Sequence, residues 1–244
     1  MQPYPEWTAP AKPAELTYNR LVEAILEGTF PPNSTLPGER QLAEMLGVTR
    51  STLREALQRL SANGWVEIQQ GRPTRVRDIW TEGNLNTLSA LVEHHAVMPG
   101  AFISQLLEVR LALAPAYTAA AVEHHAAEVV RLMDELLADL SNTAESFAQI
   151  DWRLHHRLTV LSTNPIYTLI LNGFEGFYEQ MAWLYFSIAE SRQVSQGFYS
   201  DLRAYAAAGD AQQAFQLVEE VMRKSIQLWE QAAGQGRQPQ GGGR

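Results

Sequence analysis

Between Ala14 and Gly28 the apolar residues Tyr18, Leu21, Val22, Ile25 and Leu26 recur at i, i+3, i+4, i+7 and i+8, a spacing that gathers them on one face of an amphipathic helix. Phe30-Pro31-Pro32 ends it. A shorter helix is predicted from Glu39 to Leu46, with Leu42, Met45 and Leu46 inward, Pro37-Gly38 before it and Gly47 at its close. Gly47-Val48-Thr49 leads into a third helix, in which Thr49 caps the start and Leu53, Ala56, Leu57 and Leu60 form the inward stripe as far as about Ala62. After Asn63-Gly64 the period changes to two: Trp65, Glu67 and Gln69 alternate with Val66 and Ile68. Gln70-Gly71-Arg72-Pro73 turns the chain, and Thr74-Arg75-Val76-Arg77 returns as the partner strand. Helix, helix, short turn, helix and hairpin in this order predict a winged helix-turn-helix over residues 14–79.

Beyond Ile79 strand-like alternation stops, and Ala, Leu, Glu and Gln dominate. Helices are expected at about 84–95, 101–123, 126–140, 144–162, 166–188, 192–208 and 211–233, with Pro115 kinking the second of them. Residues 80–233 therefore read as an all-α bundle with no internal repeat. The fold class expected is mainly α, an N-terminal winged helix-turn-helix domain followed by a C-terminal helical effector domain. Pro3, Pro5, Pro10 and Pro13 point to a disordered tail over 1–13, and the glycine-rich stretch 234–244 to a flexible one.

Composition narrows the chemistry. The 244 residues contain no cysteine, which excludes a disulfide scaffold, thiolate-held zinc or iron–sulfur, and a thiol nucleophile. No run approaches the roughly 20 apolar residues that span a bilayer, and the first residues lack a signal-peptide pattern, so a soluble cytoplasmic protein is expected. The net charge of −8 is unevenly spread. Residues 1–80 carry nine basic and nine acidic side chains, whereas positions 50–77 hold six arginines against Glu55 and Glu67. An acidic body with one locally basic end suits a module that docks on phosphates.

The third helix concentrates that chemistry at its start. Thr49, Arg50, Ser51, Thr52 and Arg54 crowd the first turn and its outward side, opposite the leucine stripe. Free N–H groups at a helix N-terminus, hydroxyls and arginine together can bind phosphates and bridge guanine O6 and N7 in a major groove. Arg40 can reach DNA from the flank or pair with Glu39 or Glu44. The tip Gln70-Gly71-Arg72 can approach a minor groove or remain a solvated turn. Catalysis has no comparable signal: there is no Gly-x-Ser-x-Gly, no His-Glu-x-x-His and no glycine-rich loop following a strand, so an enzyme is not expected.

Leu36-Pro37-Gly38-Glu39-Arg40-Gln41-Leu42-Ala43, Gly47-Val48-Thr49-Arg50-Ser51-Thr52-Leu53-Arg54-Glu55-Ala56-Leu57 and Gly64-Trp65-Val66 resemble the GntR family of bacterial transcription regulators. Gln69-Gln70-Gly71-Arg72-Pro73-Thr74, Trp80-Thr81-Glu82-Gly83-Asn84-Leu85-Asn86 and Asn164-Pro165-Ile166-Tyr167-Thr168-Leu169-Ile170-Leu171-Asn172-Gly173 narrow the likeness to its fatty-acid-responsive FadR branch. The resemblance implies a homodimer on a palindromic DNA operator, released by long-chain fatty acyl-CoA, acting as repressor or activator in fatty-acid metabolism, with no cofactor. By position it implies DNA contact through Arg40, Thr49, Arg50, Ser51, Thr52, Arg54, Gln70, Gly71 and Arg72. Gln70 departs from the histidine of the best-known relative. For acyl-CoA it points to Arg110, Tyr178, Tyr185, Tyr199, Ser225 and Trp229, each of which can also be ordinary core packing; Met222, Lys224 and Gly234 depart from the branch's pattern.

The six histidines fall in the pairs His94-His95, His124-His125 and His155-His156, and helical neighbours point too far apart to chelate one ion. Asp151 and His155 do share a face. Asp-x3-His resembles the opening half of the metal site in many GntR relatives, which keeps open a repressor that responds to a metal-bound organic acid. The later ligand positions read Tyr199 and the 222–225 region, and two ligands rarely hold a metal.

Overall fold

A computed structural model describes residues 12–93 and 102–236. The terminal segments expected to be disordered fall mainly on residues 1–11 and 237–244, and these, with His94 and His95, lie outside the described residues. The chain divides by its contacts into two compact units, one before and one after the segment around Met98-Pro99.

In the first unit, α1 (Pro13–Leu26) starts on a proline whose missing N–H costs nothing at that position. It buries Tyr18, Leu21, Val22 and Ile25, the predicted face. The helix α2 (Glu39–Leu46) buries Leu42 and Ala43, while Met45, expected inward, is 62% exposed. Gly47 ends α2 in the left-handed region at φ 68°, where a Cβ would be strained. Thr49 then caps α3 (Arg50–Ala62), whose Leu53, Ala56, Leu57 and Leu60 are buried as predicted. Against α3 sit the fully buried Trp65 and Val66.

The hairpin is shorter than its alternation suggested. Only β1 (Val66–Glu67) and β2 (Arg75–Val76) pair, antiparallel, with Val66 opposite Val76 and Glu67 opposite Arg75. Trp65 and Val66 are both buried and Ile68 is 47% exposed, so the period of two fails where the chain leaves the core for the wing tip. A third extended segment was not legible in the pattern: Thr35 bridges Arg75, and Ser34 accepts the Val76 N–H at 2.8 Å. Two further helices belong to this unit, α4 (Ile79–Glu82), capped by Asp78, and α5 (Leu85–Glu93).

Among the described residues the second unit has helices as its sole regular elements. It comprises α6 (Phe102–Asp139), α7 (Ala144–Leu161), α8 (Pro165–Asn172), α9 (Glu175–Phe186), α10 (Ala189–Ala208) and α11 (Ala211–Gly236). α6 touches α7, α10 and α11, and α7 also receives α8 and α9. The core joins Met133, Leu136, Leu154, Leu158, Tyr199, Leu202 and Val218 among others. The break expected between residues 123 and 126 is found at His125 (φ −142°, ψ 38°), and Pro115 lies within the helix before it. Two expectations are corrected. The single helix expected over 166–188 is two, because Gly173-Phe174 interrupts it, and glycine is a poor helix former. α11 runs to Gly236, three residues into the expected tail.

Candidate DNA interface and effector pocket

The start of α3 presents its polar residues outward. Thr49, Arg50, Ser51 and Arg54 are exposed and Thr52 is half-buried. Thr49 Oγ1 accepts the Thr52 N–H at 3.2 Å and lies 2.8 Å from Ser51 Oγ and 2.9 Å from Thr52 Oγ1. Three hydroxyls thus cluster over a helix end that carries positive dipole density. Thr49→Ala is expected to cost about 1 kcal/mol by loss of the cap; an unchanged denaturation midpoint would remove that role.

Arg40 and Arg50 are exposed and have no ion pair among the described residues. Arg40 takes neither Glu39 nor Glu44, because Glu39 Oε2 accepts from Arg54 Nε at 2.8 Å. That pair is 65% and 43% exposed, weak enough to exchange for a phosphate. At the wing, Gln70, Gly71 and Arg72 are exposed, with Gly71 in the left-handed region and open space where a Cβ would stand. Arg72 Nη1 donates to Gln69 Oε1 at 3.0 Å and Gln69 Nε2 to Glu67 Oε1 at 2.7 Å, which ties the tip to its own hairpin.

In the second unit one cavity of about 120 Å³ opens between α6, α7, α8, α9 and α11. Arg110, Tyr178, Tyr185, Ser225 and Trp229 line it, five of the six residues expected to meet acyl-CoA. The sixth, Tyr199, is wholly buried and does not line the cavity; its hydroxyl donates to Asp151 Oδ1 at 3.2 Å from behind. The rest of the wall is aliphatic or aromatic, including Leu106, Leu113, Ile170, Phe174 and Met181.

Asp151, itself at the wall, organises the polar end. Its Oδ2 accepts from Arg110 Nη2 at 2.8 Å and from the Tyr178 hydroxyl. Burial pushes the carboxyl up, but the Arg110 charge, then His155 and the hydrogen bonds, outweigh it and hold Asp151 below its usual range. Burial, reinforced by Arg110, pushes His155 down to about 3 despite Asp151, so the imidazole is neutral. Its Nδ1 lies 2.7 Å from the Tyr117 hydroxyl. With that hydroxyl donating, the ring proton resides on Nε2, 3.6 Å from Asp151 Oδ1. Burial raises the Tyr178 and Tyr199 hydroxyls well above their ordinary value, so both stay protonated donors. Tyr185 donates to Ser225 Oγ at 3.0 Å, and Ser225 to the Val221 carbonyl at 2.9 Å.

This geometry bears on Asp151 and His155 as metal ligands. The cation that neutralises Asp151 is Arg110, both carboxylate oxygens already accept, and His155 Nδ1 is engaged by Tyr117. No group of three or more His, Asp or Glu gathers as metal ligands among the described residues. Tyr117 was the residue missed. Leu106, Arg110, Leu113 and Tyr117 recur at steps of four, three and four, one face of α6, and that spacing is the signal that marks it.

No helix among the described residues is long and apolar enough to cross a membrane. Residues 77–237 match the family described as FadR C-terminal domain, and residues 13–76 match bacterial regulatory proteins of the gntR family. A protein named fatty acid metabolism regulator protein from Shewanella putrefaciens is 42% identical over 196 residues, covering 80% of this chain and 82% of its own. Its namesake in Shewanella oneidensis is 41% identical over 80% and 81%. Among solved structures, Lar, described as controlling expression of the Listeria monocytogenes agr system, shares the fold. It superposes with a TM-score of 0.57 at 20% identity, covering 92% of this chain and 99% of that one. The chain belongs to the GntR family of bacterial transcription regulators, in the branch defined by the FadR C-terminal domain, and is a DNA-binding regulator rather than an enzyme.

Proposed function

We propose that this protein regulates fatty-acid metabolism genes, binding a palindromic operator as a homodimer and leaving it when long-chain acyl-CoA fills the second unit. The cytoplasm is where such a regulator meets both ligands. The observation that carries the reading is an apolar cavity with a single half-buried guanidinium at its wall. Aliphatic residues take the acyl chain. Trp229, Ser225 and Tyr185 supply stacking and hydroxyl partners for the thioester and the CoA end.

Arg110 Nε is buried with no hydrogen-bond partner. A carbonyl or phosphate oxygen supplied by the ligand satisfies it, and in doing so competes with Asp151 for the same guanidinium. Asp151 then needs its tyrosine donors more. Tyr178 is the pivot of that exchange, since it bonds Asp151 and stacks beneath Arg110, whose guanidinium carbon is 5.2 Å from the ring centre. Ligand occupancy and a rearranged polar network are thereby linked, which is the requirement for an effector to shift a protein between two states.

Titrating acyl-CoA against the protein on an operator fragment in a gel-retardation assay tests this. Each added CH₂ contributes about 0.8 kcal/mol, so two carbons lower the half-releasing concentration roughly tenfold until the cavity is full. Free CoA and acetyl-CoA should leave the complex intact. Retention on DNA at saturating long-chain acyl-CoA overturns the proposal.

A further inference from the structure

Helix α5 lies beyond the winged hairpin, yet its Thr87 is 1% exposed. The Thr87 hydroxyl donates to the Asn63 carbonyl at 2.7 Å and accepts the Asn84 N–H at 3.1 Å. Asn63 is the residue that closes α3, the helix whose other end carries Thr49 to Arg54. Its side-chain amide in turn donates to the Tyr18 hydroxyl of α1 at 2.9 Å. Carbonyls at a helix C-terminus have no intrahelical donor, so a partner from outside fixes where that end points.

Gly64 makes the approach possible. It sits at φ 81°, and a Cβ there would stand 2.5 Å from Thr87 Oγ1. Asn84 secures the other side: its Oδ1 accepts the N–H groups of Asn86 and Thr87 at 2.9 and 3.2 Å, which sets the first turn of α5.

A second contact ties the neighbouring helix to the wing. Arg75 of β2 donates to both oxygens of Glu82 in α4 at 2.9 and 2.7 Å, to Glu67 of β1 at 3.0 Å and to Asn33 at 2.9 Å. The Arg75 bond holds the Glu82 carboxyl down to about 2, so the pair is ionic at any physiological pH.

We propose that Thr87 is a positioning residue for DNA reading: its hydroxyl on the Asn63 carbonyl fixes the C-terminal end of the recognition helix. Glu82 fixes the wing through Arg75, so the functional head extends past the hairpin to α5. The lever is long. With 13 residues α3 spans about 20 Å, so a tilt of about 5° moves its first turn by nearly 2 Å, more than a bidentate base contact tolerates. Neither Thr87 nor Glu82 is itself among the residues assigned to DNA.

The full chain is used to select a preferred duplex from a random pool, and its affinity for that duplex and for a scrambled one is measured by fluorescence anisotropy. Thr87→Val should lower the ratio of specific to non-specific affinity about tenfold, the worth of one buried hydrogen bond, while the scrambled duplex binds as before. Thr87→Ser, which keeps the hydroxyl, should restore the ratio. Glu82→Ala should lower it severalfold through the wing. A wild-type ratio in folded Thr87→Val, or a Thr87→Ser variant as impaired as the valine, overturns the proposal. Should Thr87→Val not fold, Glu82→Ala decides: a reduced ratio supports the clamp, an unchanged one overturns it.

Discussion

Asp151→Ala should remove about 3–5 kcal/mol from the stability of the second unit, because it leaves the half-buried Arg110 guanidinium with no counter-charge and two buried tyrosine hydroxyls with no acceptor. Three donors converge on this carboxylate from three helices: Arg110 on α6, Tyr178 on α9 and Tyr199 on α10. Losing it orphans all of them at once. Urea denaturation followed by far-UV circular dichroism reads the effect, and a loss below about 1 kcal/mol would show that water reaches the cluster freely. The double change Arg110→Met with Asp151→Leu should recover only the part of the loss that comes from the unpaired charge, since a buried ion pair is often worth little against an apolar pair of similar size, while the Tyr178 and Tyr199 hydroxyls stay without their acceptor. It should do so while abolishing any ligand response that depends on Arg110.

The same cluster sets an acid limit. His155 has a folded pKa of about 3 against 6.5 when unfolded. The unfolded chain therefore binds the extra proton first, and stability falls as pH drops below about 6.5. Asp151 acts in the same direction further down: its folded pKa is lowered, so its contribution is present above the unfolded carboxylate pKa and is lost as pH falls through the folded one. His155→Phe should flatten the upper part of this decline and leave the lower part in place.

Arg50→Ala should weaken specific operator binding about 10–100-fold, the range expected for one lost bidentate base contact. Arg50 is exposed with no ion pair among the described residues, so its full donor set is available to a base edge. Arg54→Ala should cost less, because Arg54 must first give up Glu39. The contrast is measurable in one anisotropy series. Equal losses for the two variants would mean that the Arg54–Glu39 bond does not compete with DNA, and no loss for Arg50 would remove it from the interface. Helical content should be unchanged in both, as each side chain projects away from the Leu53, Leu57 and Leu60 stripe.

The first three helices were legible because each has an apolar face and a terminator that act locally: Tyr18 to Ile25, then Leu42 before Gly47, then Thr49 followed by the leucine stripe; the four-residue α4 was not, being too short to show a period. The strands were less so. Two-residue strands carry too few alternations to define a register, and the Thr35 bridge depends on a segment with no periodicity at all. In the second unit the break between residues 123 and 126 was legible, and non-helical dihedrals fall there at His125.

By itself the sequence determined the order of the first three helices and the hairpin, most of their inward stripes and the hydroxyl- and arginine-rich start of α3, because periodicity and capping act within a few residues of chain. Five of the six residues expected around the effector were also assigned by position and meet at one cavity. Only the tertiary structure decided what those residues do to one another. It put Asp151 beside Arg110 and His155 beside Tyr117, moved Tyr199 behind the wall, and joined Thr87 to the end of α3. Each of these rests on side chains 24 to 48 positions apart, and the energy of a buried charge or hydroxyl is set by which of them arrive beside it, not by its neighbours along the chain.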